Sequence, residues 1–273
     1  VPYTRGAEVS RSVDQLLIEA RSLSQNGVIE ITLLGQNVNA YRGKGPDGNY
    51  WTLANLIQAI LQIDEIKRIR FTTSHPRDMS DDLIEMFGKE EKLMPFLHLP
   101  IQSGSDQILK AMNRGHTARS YIKLINRIRT VRPDIAISGD FIVGFPGETE
   151  FDFKQTLDVC DDVKFSQAFS FKYSSRPGTP AADRTEVDEK IKTDRLLLLQ
   201  EKLREHQQGF QRNMIGTIQP ILIEKIGKKE GQVIGKSPYF QPVFLNAPMD
   251  TIGQILSVRI EHSRTNGLSG SAV

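Results

Sequence analysis

The stretch VIEITLLGQNVNAY, residues 28–41, decides the fold. Ile29, Ile31 and Leu33 alternate with Glu30 and Thr32. Side chains point to opposite faces along a strand, so this strand has one apolar and one polar face. Gly35 then permits a tight turn into a loop that presents the amides of Gln36 and Asn37. Working outward, Val13, Leu16, Leu17, Ala20 and Leu23 recur at helical spacing, and Gly27 closes that helix. Thr52 caps a helix carrying Leu53, Leu56, Ile57 and Ile60, which leads to a strand at 67–73. An acidic short helix near 80–88, a strand at 95–101 and a helix with Tyr121, Leu124, Ile125 and Ile128 follow. Strands at about 134–143 and 164–173 flank a helix containing Phe151 and Leu157. Strands alternating with helices predict right-handed βαβ units and a parallel sheet.

The parity repeats along the chain. The second strand sets Ile69 and Phe71 against Arg68, Arg70, Thr72 and Ser74, and the fifth sets Phe165, Phe169 and Phe171 against Ser166, Ala168, Ser170, Lys172 and Ser174. A sheet that packs its apolar face on helices and keeps the other face polar predicts an α/β fold: an incomplete, open βα (partial TIM-type) barrel of parallel strands with a hollow polar interior. An ordinary doubly wound sheet is the alternative. Beyond Ser174 the turn-rich SRPGTPAADR precedes a long charged helix from about Thr185 to Arg212, whose Thr185–Asp188 start fits a capping pattern. After Met214, short β-like runs broken by Gly, Pro and Asn predict a small all-β, OB-like domain. The expected domains are 1–208 and 209–273.

Composition narrows the partners. No apolar run approaches the roughly 20 residues of a membrane span. The single cysteine, Cys160, allows no intrachain disulfide, which suits a reducing cytoplasm, and in its helix it reads as a small apolar residue. The net charge of +2 is unevenly spread: from Gln207 onward 7 Lys and Arg face 4 Asp and Glu, leaving −1 for the rest. The N-terminal VPYTRGAEVSR has neither Met nor the features of a signal peptide, and reads as an internal start with something upstream missing.

In βα barrels the functional groups gather on loops at the C-terminal ends of the strands. Those loops read LLGQNVNAYRG, TTSHPRD, PIQSGSD, DFIVGFPGETE and KYSSRPGTPA. Together with VPYTRGAEVSR and HLPIQSGSDQILKAMNRGHT, they resemble the methylthiotransferases of the radical S-adenosylmethionine superfamily, and the β-rich tail is similar to that family's TRAM domain. The resemblance implies reductive cleavage of S-adenosylmethionine by a [4Fe-4S] cluster, hydrogen abstraction from C2 of an N6-isopentenyladenosine next to the anticodon of tRNA, and sulfur delivery through a second [4Fe-4S] cluster. It also implies a C-x-x-x-C-x-x-C motif just before the VPYTRG segment. One cysteine cannot supply those ligands, so no catalytic and no metal-binding residue is expected in this chain, and alone it is expected to be inactive.

What the resemblance implies for cofactor binding falls on Gln36, Asn37, Ser74, Gln102, Ser103, Asp140, Ile142, Gly144, Ser174 and Arg176. The loop chemistry leaves rival readings beside several of these. The asparagines of the first loop have a purely loop-structural reading as the alternative, and Asp140 either accepts from a ribose hydroxyl or pairs with Arg68 or Arg70. Glu148 and Ser105 read more readily as helix caps than as ligand contacts. Arg114 and Arg176 suit either the cofactor carboxylate or an RNA phosphate. His75 and His98 lack metal-ligand companions and read as structural. In the tail, Lys225, Lys228, Lys229 and Lys236 with Tyr239, Phe240 and Phe244 suit RNA contact and base stacking, against a solvated charge run beside an aromatic core. The expected partner is the anticodon stem-loop of tRNA, with no membrane and no protein partner. Three functional classes follow: a piece of the active enzyme, a non-catalytic tRNA- or nucleoside-binding remnant, or a βα-barrel metabolic enzyme without RNA.

Overall fold

The computed structural model describes residues 9–273, so the VPYTRGAE segment lies outside the described residues. The chain divides into two compact units, one ending at Met94 and one running Pro95–Val273.

In the first unit, helix α1 (Val13–Gln25) ends as its sequence predicts. Gly27 has φ 83, and the Gly27 and Val28 amides donate to the Ser24 and Leu23 carbonyls at 2.9 and 3.1 Å. This is a Schellman closure, in which the left-handed residue costs least as glycine. Strand β1 (Glu30–Leu33) pairs in parallel with β2 (Arg68–Phe71), setting Ile31 beside Ile69 and Glu30 beside Arg68. Between them, α2 (Leu53–Leu61) is capped by Thr52 in a reciprocal capping box with Asn55. Helix α3 (Asp81–Lys89) brings Phe87 to 5.7 Å from Phe71.

The second unit contains a three-stranded parallel sheet of β3 (Phe96–His98), β4 (Ala136–Val143) and β5 (Gln167–Lys172). Helices α4 (Asp106–Ala111), α5 (Ala118–Val131) and α6 (Glu150–Val163) connect the strands. The ring of Tyr121 from α5 lies against Phe165, which in turn meets Phe141 edge-on at 5.2 Å. The long α7 (Glu189–Arg212) leads into a closed barrel of β6 (Ile218–Ile226), β7 (Gln232–Lys236), β8 (Pro242–Asn246), β9 (Ile255–Arg264) and β10 (Gly267–Ala272), in the order β8-β10-β9-β6-β7. Closure leaves no free sheet edge, and Ile221, Ile223, Val233, Val243, Val258, Ile260 and Leu268 fill its core.

Two expectations about elements are corrected. Helix α7 starts at Glu189 rather than near Thr185: the Asp188 carboxylate accepts from the Lys190 and Ile191 amides, and Glu186 pairs instead with Lys192 at 2.5 Å. The faces of the fifth strand are inverted. Parallel register sets Phe169 beside Asp140 and Phe171 beside Ile142, whereas Lys172, of opposite parity, reaches Glu189 and Thr193 on α7. Phe165 is buried on the helix side, so the alternation breaks at Ser166, whose amide and hydroxyl both donate to the Ile137 carbonyl at 2.9 Å.

Candidate functional site

In the first unit the loops after β1 and β2 are tied together through backbone groups. Asn39 donates to the His75 carbonyl and accepts from the His75 amide, both at 2.8 Å, so Asn39 is a structural clamp. His75 is structural as well, its Nδ1 accepting from the Arg77 amide. Asn37 donates to Asp78 at 2.7 Å. Its Oδ1, like Ser74 Oγ, is buried and without a hydrogen-bond partner among the described residues. Gln36 is exposed and, with Asn37, lines a cavity of about 490 Å³ bounded by α1 and β1. Below the loops, the polar parity resolves into an ion pair: Glu30 lies 3.1 Å from Arg70 and 3.7 Å from Arg68, and both guanidinium groups are almost fully buried. Arginines buried on a sheet face require such partners, because an unpaired charge there is strongly destabilising.

In the second unit the face shared by His98, Ser138, Asp140, Ile142, Gln167, Phe169 and Phe171 forms the candidate site. His98 Nδ1 lies 3.1 Å from Ser138 Oγ and its Nε2 lies 3.5 Å from Asp140. The phenyl rings at 169 and 171 are 48% and 55% exposed beside these polar groups. At the strand ends, Gln102 adopts φ 79 and exchanges backbone bonds with Asp140 and Ile142 at 2.9 Å. A non-glycine residue in the left-handed region costs about 1–2 kcal/mol, a strain that concentrates at ligand-binding loops. Arg114 donates to the Pro100 carbonyl at 3.0 Å, while its Nε is buried with no partner among the described residues. Burial lowers its pKa and the nearby Asp140 carboxylate opposes that shift. Ser174 and Arg176 lie exposed on the loop after β5.

Other residues of these loops are committed to structure. Ser103 is fully buried, with Oγ accepting from the Ser105 amide and lying 3.4 Å from Thr156 Oγ1. Ser105 caps α4, as its sequence predicts, and donates to Asp152 at 2.5 Å. Gly144 has φ 69, and a Cβ there would strike the Lys192 side chain. Glu148 neither caps a helix nor faces open space: it accepts from the Gly144 amide at 2.7 Å and pairs with Arg195 at 2.9 Å, while Thr149 caps α6. Burial raises the Glu148 pKa against the pull of that amide and of Arg195. The sequence reads His98 as structural and sets Phe169 and Phe171 on the helix side, whereas the register brings all three to the face of Asp140. The signal that finds His98 is its place directly before Leu99 and Pro100 at a strand end, on the parity of Ser138 across the sheet.

On the barrel, Lys225, Lys228 and Lys229 are exposed. Lys236 pairs with Glu224 at 2.9 Å and sits 4.5 Å from the Phe240 ring centroid. Phe240 stacks on Phe96 at 4.7 Å, and the Tyr239 hydroxyl donates to Asp134 at 2.7 Å. These two aromatics therefore join barrel to sheet, which is the aromatic-core reading for them.

A family model described as the radical SAM superfamily matches residues 1–160, and a TRAM domain model matches residues 212–273. The tRNA-2-methylthio-N(6)-dimethylallyladenosine synthase of Ruegeria pomeroyi is 58% identical over 270 residues, covering 99% of this chain and 61% of that protein. The protein of the same name from Rickettsia felis is 53% identical over 275 residues, covering 100% and 62%. The chain thus spans about six-tenths of the length of these curated relatives. Coproporphyrinogen III oxidase of Escherichia coli, described as a radical SAM enzyme, shares the fold with a TM-score of 0.53 at 14% identity, covering 96% of this chain and 64% of that one.

Proposed function

Because this chain belongs to the radical SAM superfamily, we propose that it is part of a tRNA-modifying enzyme that methylthiolates C2 of N6-isopentenyladenosine next to the anticodon, with S-adenosylmethionine as cofactor. The observation that carries the reading is the 58% identity, over almost the whole chain, to proteins named for that reaction. The polar face of β3–β5 supports it physically.

S-adenosylmethionine is polar at both ends, and the donor set fits it. Gln102 and Asp140 offer an amide and a carboxylate to ribose hydroxyls, and Arg114, with an unpartnered buried Nε, offers a cation to the cofactor carboxylate. Ile142 gives an apolar edge for adenine, beside the Gly144 turn that this reading also assigns to the cofactor. Arg176 and Ser174 lie at the rim. In the first unit the same reading assigns Gln36, Asn37 and Ser74 to cofactor binding. Ser103 supports the Gln102 loop from within. When bound, the cofactor supplies the radical chemistry; the protein binds, orients and excludes water. A target base splayed from a single-stranded loop would find stacking surfaces in Phe169 and Phe171, a contact worth about 1–3 kcal/mol per base. Lys225, Lys228 and Lys229 would hold RNA phosphates, and a cytoplasmic location follows from that substrate.

The residues present do not fit a [4Fe-4S] cluster. Cys160 is the single cysteine, buried in α6 with its thiol pKa pushed up by burial, and no group of three or more His, Cys, Asp or Glu suited to a metal occurs among the described residues. No step is therefore assigned through a cluster held by this chain. The second reading is a non-catalytic tRNA- or nucleoside-binding remnant of such an enzyme.

One experiment separates these readings. Disruption of the gene is expected to replace 2-methylthio-N6-isopentenyladenosine by N6-isopentenyladenosine in digested tRNA, measured by mass spectrometry. Supplying the 273-residue chain alone is expected not to restore the modification. An unchanged nucleoside profile on disruption would overturn the enzymatic reading and leave the remnant.

A further inference from the structure

Where the end of α5, the segment leading into β4 and the end of α7 meet the barrel, the second unit contains a cleft of about 680 Å³. It lies by the N-terminal ends of the sheet strands, away from the loops just described. Three cations from three elements line it: Arg129 near the end of α5, Lys164 just after α6, and Arg212 in the last turn of α7. Lys164 takes the left-handed φ of 53 as the helix cap. Among the described residues, Lys164 and Arg212 are exposed and have no ion-pair partner. Arg129 donates one Nη2 bond to the Val163 carbonyl. Of the acids in the lining, Asp134 is held by Arg132 at 2.8 Å and by the Tyr239 hydroxyl, which leaves Glu205 as the opposing carboxylate. His206 is paired with Asp161 at 3.1 Å. The cleft is therefore net positive.

A second observation specifies what else the occupant carries. Gln219 of β6 lines the cleft and is only 6% exposed, yet its Oε1 has no hydrogen-bond partner among the described residues. The amide orientation is fixed. The Thr217 hydroxyl donates to the Met214 carbonyl at 2.6 Å, so it must accept from Gln219 Nε2 at 3.2 Å, leaving Oε1 as an unmet acceptor. A buried acceptor is costly until something donates to it. Phosphate diesters supply charge but no donor, whereas a ribose 2′-hydroxyl is both donor and acceptor.

We propose that this cleft seats the ribose–phosphate backbone of RNA, with Arg129, Lys164 and Arg212 on phosphates and Gln219 Oε1 accepting from a 2′-hydroxyl. The assignment rests on the reading of the substrate as tRNA, and it adds a contact region distinct from both the strand-end loops and the barrel lysines.

The test titrates the 273-residue chain with a fluorescent RNA stem-loop, and with DNA of the same sequence, at several salt concentrations. Neutralising Lys164 and Arg212 together (Lys164→Ala with Arg212→Ala) is expected to flatten the slope of log affinity against log salt by about 1.4–1.8. Gln219→Leu is expected to cut the preference for RNA over DNA by about fivefold, the worth of one hydrogen bond. Gln219→Glu, which keeps an acceptor, should retain the preference while weakening both. RNA bound with an unchanged slope in the double variant overturns the cleft but leaves the tRNA reading standing. No RNA binding by the unmodified chain sinks both. Equal binding of RNA and DNA, or displacement of RNA by inorganic phosphate at matched ionic strength, reduces the cleft to a general anion site and overturns the proposal.

Discussion

Asp152 shows how one side chain fixes a loop on a helix. Its Oδ1 accepts from Ser105 at 2.5 Å, and its Oδ2 accepts from the Thr149 amide and hydroxyl at 2.9 and 2.6 Å, so the start of α4 and the start of α6 share one carboxylate. Burial alone would raise its pKa; the bonds from Ser105 and Thr149 outweigh burial and hold it below the usual value. A carboxyl depressed in the folded state stabilises when ionised. That contribution is complete above the unfolded value of about 3.9 and is lost as pH falls through the lower folded value. Asp152→Asn is therefore expected to lower stability at neutral pH by about 1–3 kcal/mol and to flatten the decline below about pH 4. Urea unfolding across pH 2–7 measures both. A variant whose curve runs parallel to the parent's through that window would show that the carboxylate is not what links the two helices.

At the scale of elements, sequence reading succeeded where one local interaction dominates and failed where distant partners compete. The glycine closure of α1, the Thr52 cap of α2 and the polar parity of β1 and β2 were legible because each depends on neighbours in sequence or on strict alternation. The outward assignment of Phe169 and Phe171 failed because alternation was counted through Ser166, whose bonds to Ile137 break it. The start of α7 is set by the Asp188 cap and the Glu186–Lys192 pair, which compete with a cap at Thr185, whereas the role of Glu148 depends on Arg195, 47 residues away. Pairing at that range leaves no periodic signal. Arg195 ties α7 to the turn before α6, and truncating it strands a buried carboxylate. Arg195→Ala is thus expected to cost about 3–5 kcal/mol, and Glu148→Gln in the same chain should recover part of that. A double-mutant cycle by chemical denaturation checks the coupling. Additive effects would mean the pair is incidental to the packing of these helices.

At the scale of the second unit, Phe240 on Phe96 and Tyr239 on Asp134 fix the barrel at the N-terminal ends of β3–β5, while the candidate site opens at their C-terminal ends. The eight residues of β4 span about 26 Å and the 24 residues of α7 about 36 Å, so an RNA whose loop enters the site must extend roughly that far to reach Lys164 and Arg212. At roughly 3 Å per base pair this is a stem of about ten pairs. Length and charge are therefore coupled. A loop-only oligonucleotide is expected to bind the unmodified chain and the Lys164→Ala, Arg212→Ala variant with the same affinity and the same weak salt dependence. As the stem lengthens, affinity for the unmodified chain should rise together with the steepness of its salt slope, and the variant should fall progressively behind until the stem passes about ten pairs. Titration of a stem-length series by fluorescence anisotropy reads this directly. Equal sensitivity of the shortest and longest RNAs to the two substitutions would place cleft and loop contact side by side, which the docking of the barrel at the far end of the strands does not allow.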